Sequence, residues 1–151
     1  MTPTGSRRSV PGPLSTPVGQ EHAMWVWLAV GIGGALGSAA RHGVNRLVHQ
    51  HWPALRFPVS TVLVNLLGCC IIGALTGLVV SARLPMRPYW REFVFVGVIG
   101  GFTTFSTFGL DTVTLLRTGS VGHAFLNVAV QVTLGIGGVY VGMVLCERLG
   151  R

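Results

Sequence analysis

The sequence predicts an all-α integral membrane protein with four transmembrane helices, and two observations predict it. Half of the residues are apolar and only 10% are charged, against about 25% charged in an ordinary soluble domain. The charges are also clustered, leaving residues 24–40, 57–82, 93–110 and 118–146 without any. A helix needs about 20 apolar residues to cross roughly 30 Å of hydrocarbon. The second and fourth runs are long enough alone. The first and third reach that length by including a charged end that snorkels to the headgroups. Helices of a soluble core would carry a polar face at a period of 3.6 residues, and these runs carry almost none. Four spans leave little chain over, so residues 24–151 form one membrane unit.

The elements follow in order. Residues 1–23 are rich in Pro, Ser, Gly and Thr without an apolar run, which predicts a disordered tail. Arg7 and Arg8 are too far from the first apolar run, and lack a cleavage pattern, to read as an export signal. Translation from Met24 is an alternative. The first span contains Gly31, Gly33, Gly34 and Gly37, whose spacing superficially matches a dinucleotide loop; no strand precedes it, so that reading is discarded. In the first loop, His49 and His51 stand beside Trp52 and read as an interfacial pair rather than a metal site. Cys69, Cys70 and Cys146 lie in apolar runs without metal spacing and read as small packing residues. Glycines recur four apart in every span: Gly33 and Gly37, Gly73 and Gly77, Gly97 and Gly101, Gly138 and Gly142. Such pairs let helix backbones approach closely in lipid.

The net charge of +7 raises the question of nucleic acid. All the basic residues are arginines at loops and span ends, not one stripe interleaved with aromatics, so lipid headgroups rather than nucleic acid are the expected partner. Their distribution bears on orientation. With four spans, one side carries Arg83, Arg87, Arg91, Arg148 and Arg151, with Arg7 and Arg8 in the tail; the other carries Arg41, Arg46, Arg56 and Arg117. The positive-inside rule normally gives a clear bias. Near balance permits insertion either way up and assembly as an antiparallel, dual-topology homodimer.

The polar residues within the spans carry the functional content. Asn65 lies in the second span, and Asn127 and Gln131 lie four apart on one face of the fourth. In the third span, Gly100 and Gly101 precede Thr103, Thr104, Ser106 and Thr107. Two glycines and four hydroxyls make a poor continuous helix. A broken third helix is expected, the alternative being a bent one whose hydroxyls bond back to its own carbonyls. Irregular backbone at that depth is tolerated only where protein or a water-filled cavity satisfies it. No charged residue lies mid-span, so the carboxylate relay of a proton-coupled pump is missing and passive permeation is favoured. Amide and hydroxyl groups donate hydrogen bonds to anions, and an aromatic ring presents a positive edge. Together they could replace the water around a small anion.

From residue 24 onward, nearly the whole chain resembles the Fluc (CrcB-type) fluoride channels of microbes. Residues 33–41, GGALGSAAR, match the first-span pattern of that family. Residues 58–68, PVSTVLVNLLG, match the second, with Ser60 where glycine is usual. Residues 100–108, GGFTTFSTF, match the highly specific third-span signature, and residues 122–128, GHAFLNV, resemble the start of the fourth. The ordered set is far more specific than any one motif.

The resemblance implies an antiparallel dual-topology homodimer in the bacterial inner (plasma) membrane, with two fluoride pathways lined by both subunits and exporting fluoride from the cytoplasm. It assigns Phe105, Phe108 and Asn65 to the pathway and Arg41 to its aqueous vestibule. Ser106, Thr107, Asn127 and Gln131 are the other polar candidates for that pathway. Gly100 and Thr103 match the break whose backbone carbonyls hold a structural sodium ion on the dimer axis, and carbonyls freed by a broken helix are suitable hard-oxygen ligands. A β-branched residue at Gly100 is expected to disrupt the break. Three positions depart from the family pattern: Gly109 for serine, Asp111 for glutamate and Gln131 for serine. Two rival classes are a small four-helix drug or cation exporter, which requires a first-span carboxylate, and a basic membrane-anchored interaction protein, which leaves the hydroxyl-rich third span unexplained. No nucleophile–base pair or metal cluster supports an enzyme.

Overall fold

A computed structural model describes residues 17–53 and 55–148, and among these every regular element is helical. The helices are α1 (Pro17–His51), α2 (Val59–Val80), α3 (Pro88–Arg91), a π-helical segment (Glu92–Ile99), α4 (Gly100–Phe102), α5 (Phe105–Arg117) and α6 (Val121–Arg148). Four stretches are long and apolar enough to cross a membrane: Ala23–His51, Val59–Val80, Pro88–Arg117 and Val121–Arg148. They coincide with the four expected spans.

One boundary is corrected. Helix α1 begins at Pro17, inside the segment expected to be a disordered tail, while the membrane-capable part begins at Ala23. Proline suits a first helical turn, where its missing N–H would have no partner. Residues 1–16 of the expected tail lie outside the described residues.

The turns are built from helix C-caps. After α5, Gly119 takes φ +74°, its N–H bonds the Leu116 carbonyl at 3.1 Å, and the Ser120 N–H bonds the Leu115 carbonyl at 2.9 Å. This paired closure consumes two orphan carbonyls of the last turn and needs a left-handed residue. After α2 the same closure is made by Ala82 at φ 57°, with Ala82 N–H on Val79 and Arg83 N–H on Leu78, both at 3.1 Å.

The four spans do not form one closed bundle. Helix α1 packs along the π-helical segment and α4, whereas α2 packs along α6 and α5 also lies against α6. The third span therefore crosses from one helix pair to the other, its first half on α1 and its second half on α6. The glycine pairs explain these contacts. A Cβ on Gly33 would come within 2.5 Å of the Phe93 carbonyl, and one on Gly101 within 2.6 Å of the Gly34 carbonyl. One on Gly37 would strike the Val98 carbonyl and come within 2.8 Å of the Phe102 nitrogen. On the other pair, Gly73 and Gly77 face the Val139 and Met143 carbonyls, and Gly142 faces the Cys70 carbonyl. Lipid supplies no hydrophobic drive for helix pairing, so this close packing is what joins the spans.

Candidate functional site

The site begins where the third span stops being helical. Thr103 and Thr104 are extended, at φ −79°, ψ 160° and φ −153°, ψ 108°. The chain re-enters a helix at Phe105. Thr104 caps the new helix: its hydroxyl accepts the Thr107 backbone N–H at 3.2 Å and lies 2.9 Å from the Thr107 hydroxyl and 3.2 Å from that of Ser106. A threonine at this position satisfies one of the orphan donors of the first turn. The hydroxyl of Thr103 instead donates back to the Ile99 carbonyl at 3.1 Å. Back-bonding is therefore present, at one threonine, beside a cap at the other.

Asn65, from α2, holds the interruption in place. Its Oδ1 accepts the Thr104 backbone N–H at 2.8 Å, and its Nδ2 donates to the Thr104 carbonyl at 3.1 Å. Nδ2 also donates to Gln131 Oε1 at 2.6 Å. Both amide hydrogens of Asn65 are thereby committed to the protein. The chain of bonds continues: Gln131 Nε2 donates to Asn127 Oδ1 at 2.8 Å, Asn127 Nδ2 to the Thr112 hydroxyl at 2.9 Å, and that hydroxyl to the Phe108 carbonyl at 2.8 Å. Asn127 is wholly buried, and a fully connected network is what makes a polar group tolerable there. A second tie, from the Thr61 hydroxyl to Asp111 Oδ2 at 2.6 Å, fastens α5 to α2.

Rerouted backbone bonds leave acceptors behind. In a continuous helix the Thr104 N–H would serve the Gly100 carbonyl and the Thr107 N–H would serve that of Thr103. The first goes to Asn65 and the second to the Thr104 hydroxyl. From α1, Ser38 Oγ donates to the Gly101 carbonyl at 3.4 Å and Arg41 Nη1 to the Thr103 carbonyl at 3.5 Å. Both are long contacts, and a carbonyl has a second lone pair. The carbonyls of Gly100 and Thr103 thus fit the donor chemistry of a hard cation, though two oxygens are too few to enclose one without a second chain.

A cleft of about 300 Å³ opens beside the interruption, lined by Asn65, Gly68, Thr103, Thr104, Phe105, Phe108 and Gln131 among apolar neighbours. None of its lining residues is charged. The rings of Phe105 and Phe108 lie 5.3 Å apart, tilted by 54°, and Phe105 is 83% exposed. Of the residues expected in the pathway, Asn65, Phe105, Phe108 and Gln131 come together here, with Thr103 from the expected sodium site. Ser106 and Thr107 stand in the cap, Arg41 reaches the Thr103 carbonyl but does not line the cleft, and Asn127 bonds to Gln131 from outside the cleft lining. Gly68 and Thr112 were not singled out by sequence reasoning, and Thr104 was named only as one of four hydroxyls, not as a cap. The signal for that cap was available, since threonine is among the residues preferred immediately before a helix start. Gly68 was not legible: its missing Cβ makes room for the Thr103 methyl, a tertiary contact.

Comparison with known proteins bears on this arrangement. Residues 28–143 match the family described as CrcB-like protein, Camphor Resistance (CrcB). The chain is 41% identical over 124 residues to the "Fluoride-specific ion channel FluC" of Methylobacillus flagellatus, covering 82% of this chain and 96% of the relative. It is 40% identical over 126 residues to the protein of that name from Saccharophagus degradans, covering 82% and 91%. With that of Rhodospirillum centenum it shares 41% over 118 residues, covering 78% and 92%. The family match reaches into all four spans and takes in the whole Asn65–Thr104–Gln131 site, and the chain belongs to the CrcB-like family.

Proposed function

We propose that this protein is a fluoride-selective passive channel of the bacterial inner membrane, exporting fluoride from the cytoplasm, and not an enzyme. The observation that carries the reading is the uncharged cleft at the interruption, where two phenylalanine rings and a glutamine amide stand beside a braced backbone. Fluoride is small and strongly hydrated, so a pathway must replace its water without fixing it. Ring edges and neutral N–H groups do this, whereas a buried cation would hold the ion too tightly to conduct. Asn65 commits both amide hydrogens to Thr104 and Gln131. Its role is then to brace the pathway, while the second Nε2 hydrogen of Gln131 supplies the amide contact. Arg41, half-buried and in contact with the Thr103 carbonyl, raises the local anion concentration from a distance.

The working unit in this reading is an antiparallel homodimer. A cleft open along one side, with Phe105 mostly exposed, is half a pathway, and a second copy inserted the other way up supplies the other half. The near balance of arginines between the two faces is consistent with both orientations. Backbone carbonyls of Gly100 and Thr103 from the two copies would hold a structural sodium ion, whose positive charge fixes the interruption at the dimer axis. The drug-exporter alternative is disfavoured by a first span without a carboxylate.

The test is fluoride release from liposomes containing the purified protein, read with a fluoride-selective electrode, with a potassium ionophore carrying the compensating charge. Rapid release only after the ionophore is added supports a passive channel. No release, or release that needs a proton gradient instead, overturns it.

A further inference from the structure

A second cavity lies far from the interruption, where α1 starts and the third span begins. It has a volume of about 610 Å³ and is lined by Trp25, Leu28, Ala29 and Ile32 of α1, with Val26, and by Pro88 and Tyr89 of α3. Its apolar α1 wall is exposed, with Trp25 at 62%, Leu28 at 48% and Ile32 at 58%. One α1 wall and one α3 wall make an apolar groove. The sequence flanking Pro88 and Tyr89 is basic. Arg87 immediately precedes Pro88, and the Arg91 N–H bonds the Arg87 carbonyl at 3.1 Å, so the two arginines stand one helical turn apart. Both are exposed, as is Arg83 in the preceding loop. Tyr89 and Trp25 add amphipathic rings of the kind that sit at headgroup level.

We propose that this groove is a binding site for an anionic glycerophospholipid of the surrounding bilayer, with one acyl chain between α1 and α3 and the phosphate at Arg87 and Arg91. Charge selects the occupant: an apolar slot alone accepts any lipid, but a pair of arginines beside it favours a headgroup of net negative charge over a zwitterionic one. The site needs only the membrane setting and is independent of what the channel conducts.

Fluorescence quenching by acyl-brominated lipids tests it. In a variant whose only tryptophan is Trp25 (Trp27→Phe, Trp52→Phe, Trp90→Phe), reconstituted in bilayers of varied composition, brominated phosphatidylglycerol should reach half-maximal quenching at a mole fraction at least threefold lower than brominated phosphatidylcholine. Arg87→Gln with Arg91→Gln should bring the two curves together. A variant retaining only Trp27, which is 76% exposed and outside the groove, should show no preference. Coincident curves for the Trp25 protein would overturn the site, as would a preference that survives both arginine substitutions. Absence of quenching by either lipid would mean that protein, from the N-terminal residues or a second copy, fills the groove, and would overturn it equally. Size-exclusion profiles of the variants check that each remains folded.

Discussion

The side-chain amide of Asn65 grips the peptide of Thr104 at both its N–H and its carbonyl, at 2.8 and 3.1 Å. That grip replaces the helical bonds the third span loses, and it makes an interrupted helix affordable within a membrane-crossing segment. Asn65→Ala leaves both Thr104 groups without partners, at about 1–3 kcal/mol for each buried unsatisfied group. Thermal unfolding in detergent should show a marked loss of stability, with fluoride release falling in parallel. An Asn65→Ala protein with unchanged midpoint would mean the grip contributes nothing.

The glycine contacts predict a contrast between positions that look alike in sequence. Gly37→Ala drives a methyl group into the Val98 carbonyl and the Phe102 nitrogen, both backbone, so α1 must separate from the third span. Gly31 and Gly43, on the same helix, face open space, and alanine there should be neutral or stabilising by up to about 1 kcal/mol. Unfolding midpoints of the three variants, measured side by side, check the contrast.

Ala82 offers a test in the opposite direction. It holds φ 57° in the closure after α2, a conformation that costs a residue with a Cβ roughly 1–2 kcal/mol. Ala82→Gly should relieve most of that strain, less the extra freedom glycine has when unfolded. A modest rise in unfolding midpoint is expected, with flux unchanged.

Gly100 and Thr103 separate the sodium proposal from simple packing. Gly100 has ordinary helical angles, φ −61° and ψ −39°, and a Cβ there meets nothing nearer than the Phe95 carbonyl at 3.7 Å. Within one chain there is thus room for an added Cβ at this position. Harm from Gly100→Val should arise between subunits, as loss of dimer with retained helicity. Thr103→Ala should keep sodium-dependent dimer stability, because the backbone oxygen is the proposed ligand. Gel filtration and thermal melts with and without sodium distinguish these outcomes.

The spans were legible because lipid leaves a compositional trace, and the glycine pairs because small residues at a fixed spacing have few other uses in a membrane. Asn65 and Gln131 were legible as polar residues in apolar runs, and Phe105 and Phe108 only through the resemblance carried by residues 100–108. Which atoms they touch was not. That Asn65 serves both Thr104 and Gln131 depends on how α2, α5 and α6 are juxtaposed across more than 30 intervening residues. The start of α1 was obscured because Pro17 reads as a breaker when it follows a Pro- and Ser-rich segment, although it is favourable in a first turn.

The central claim is that the rings of Phe105 and Phe108 face permeating fluoride rather than simply filling space, and the most direct measurement is fluoride release from liposomes by Phe105→Leu and Phe108→Leu. Three residues of helix turn about 300°, which sets the two rings on neighbouring faces, and the structure places both at the cleft. Leucine keeps the apolar bulk and removes the positive ring edge. The account predicts that each variant assembles like the parent protein yet releases fluoride at least tenfold more slowly. Two variants that assemble normally and conduct at the parent rate would make the phenylalanines packing residues and contradict the pathway drawn here.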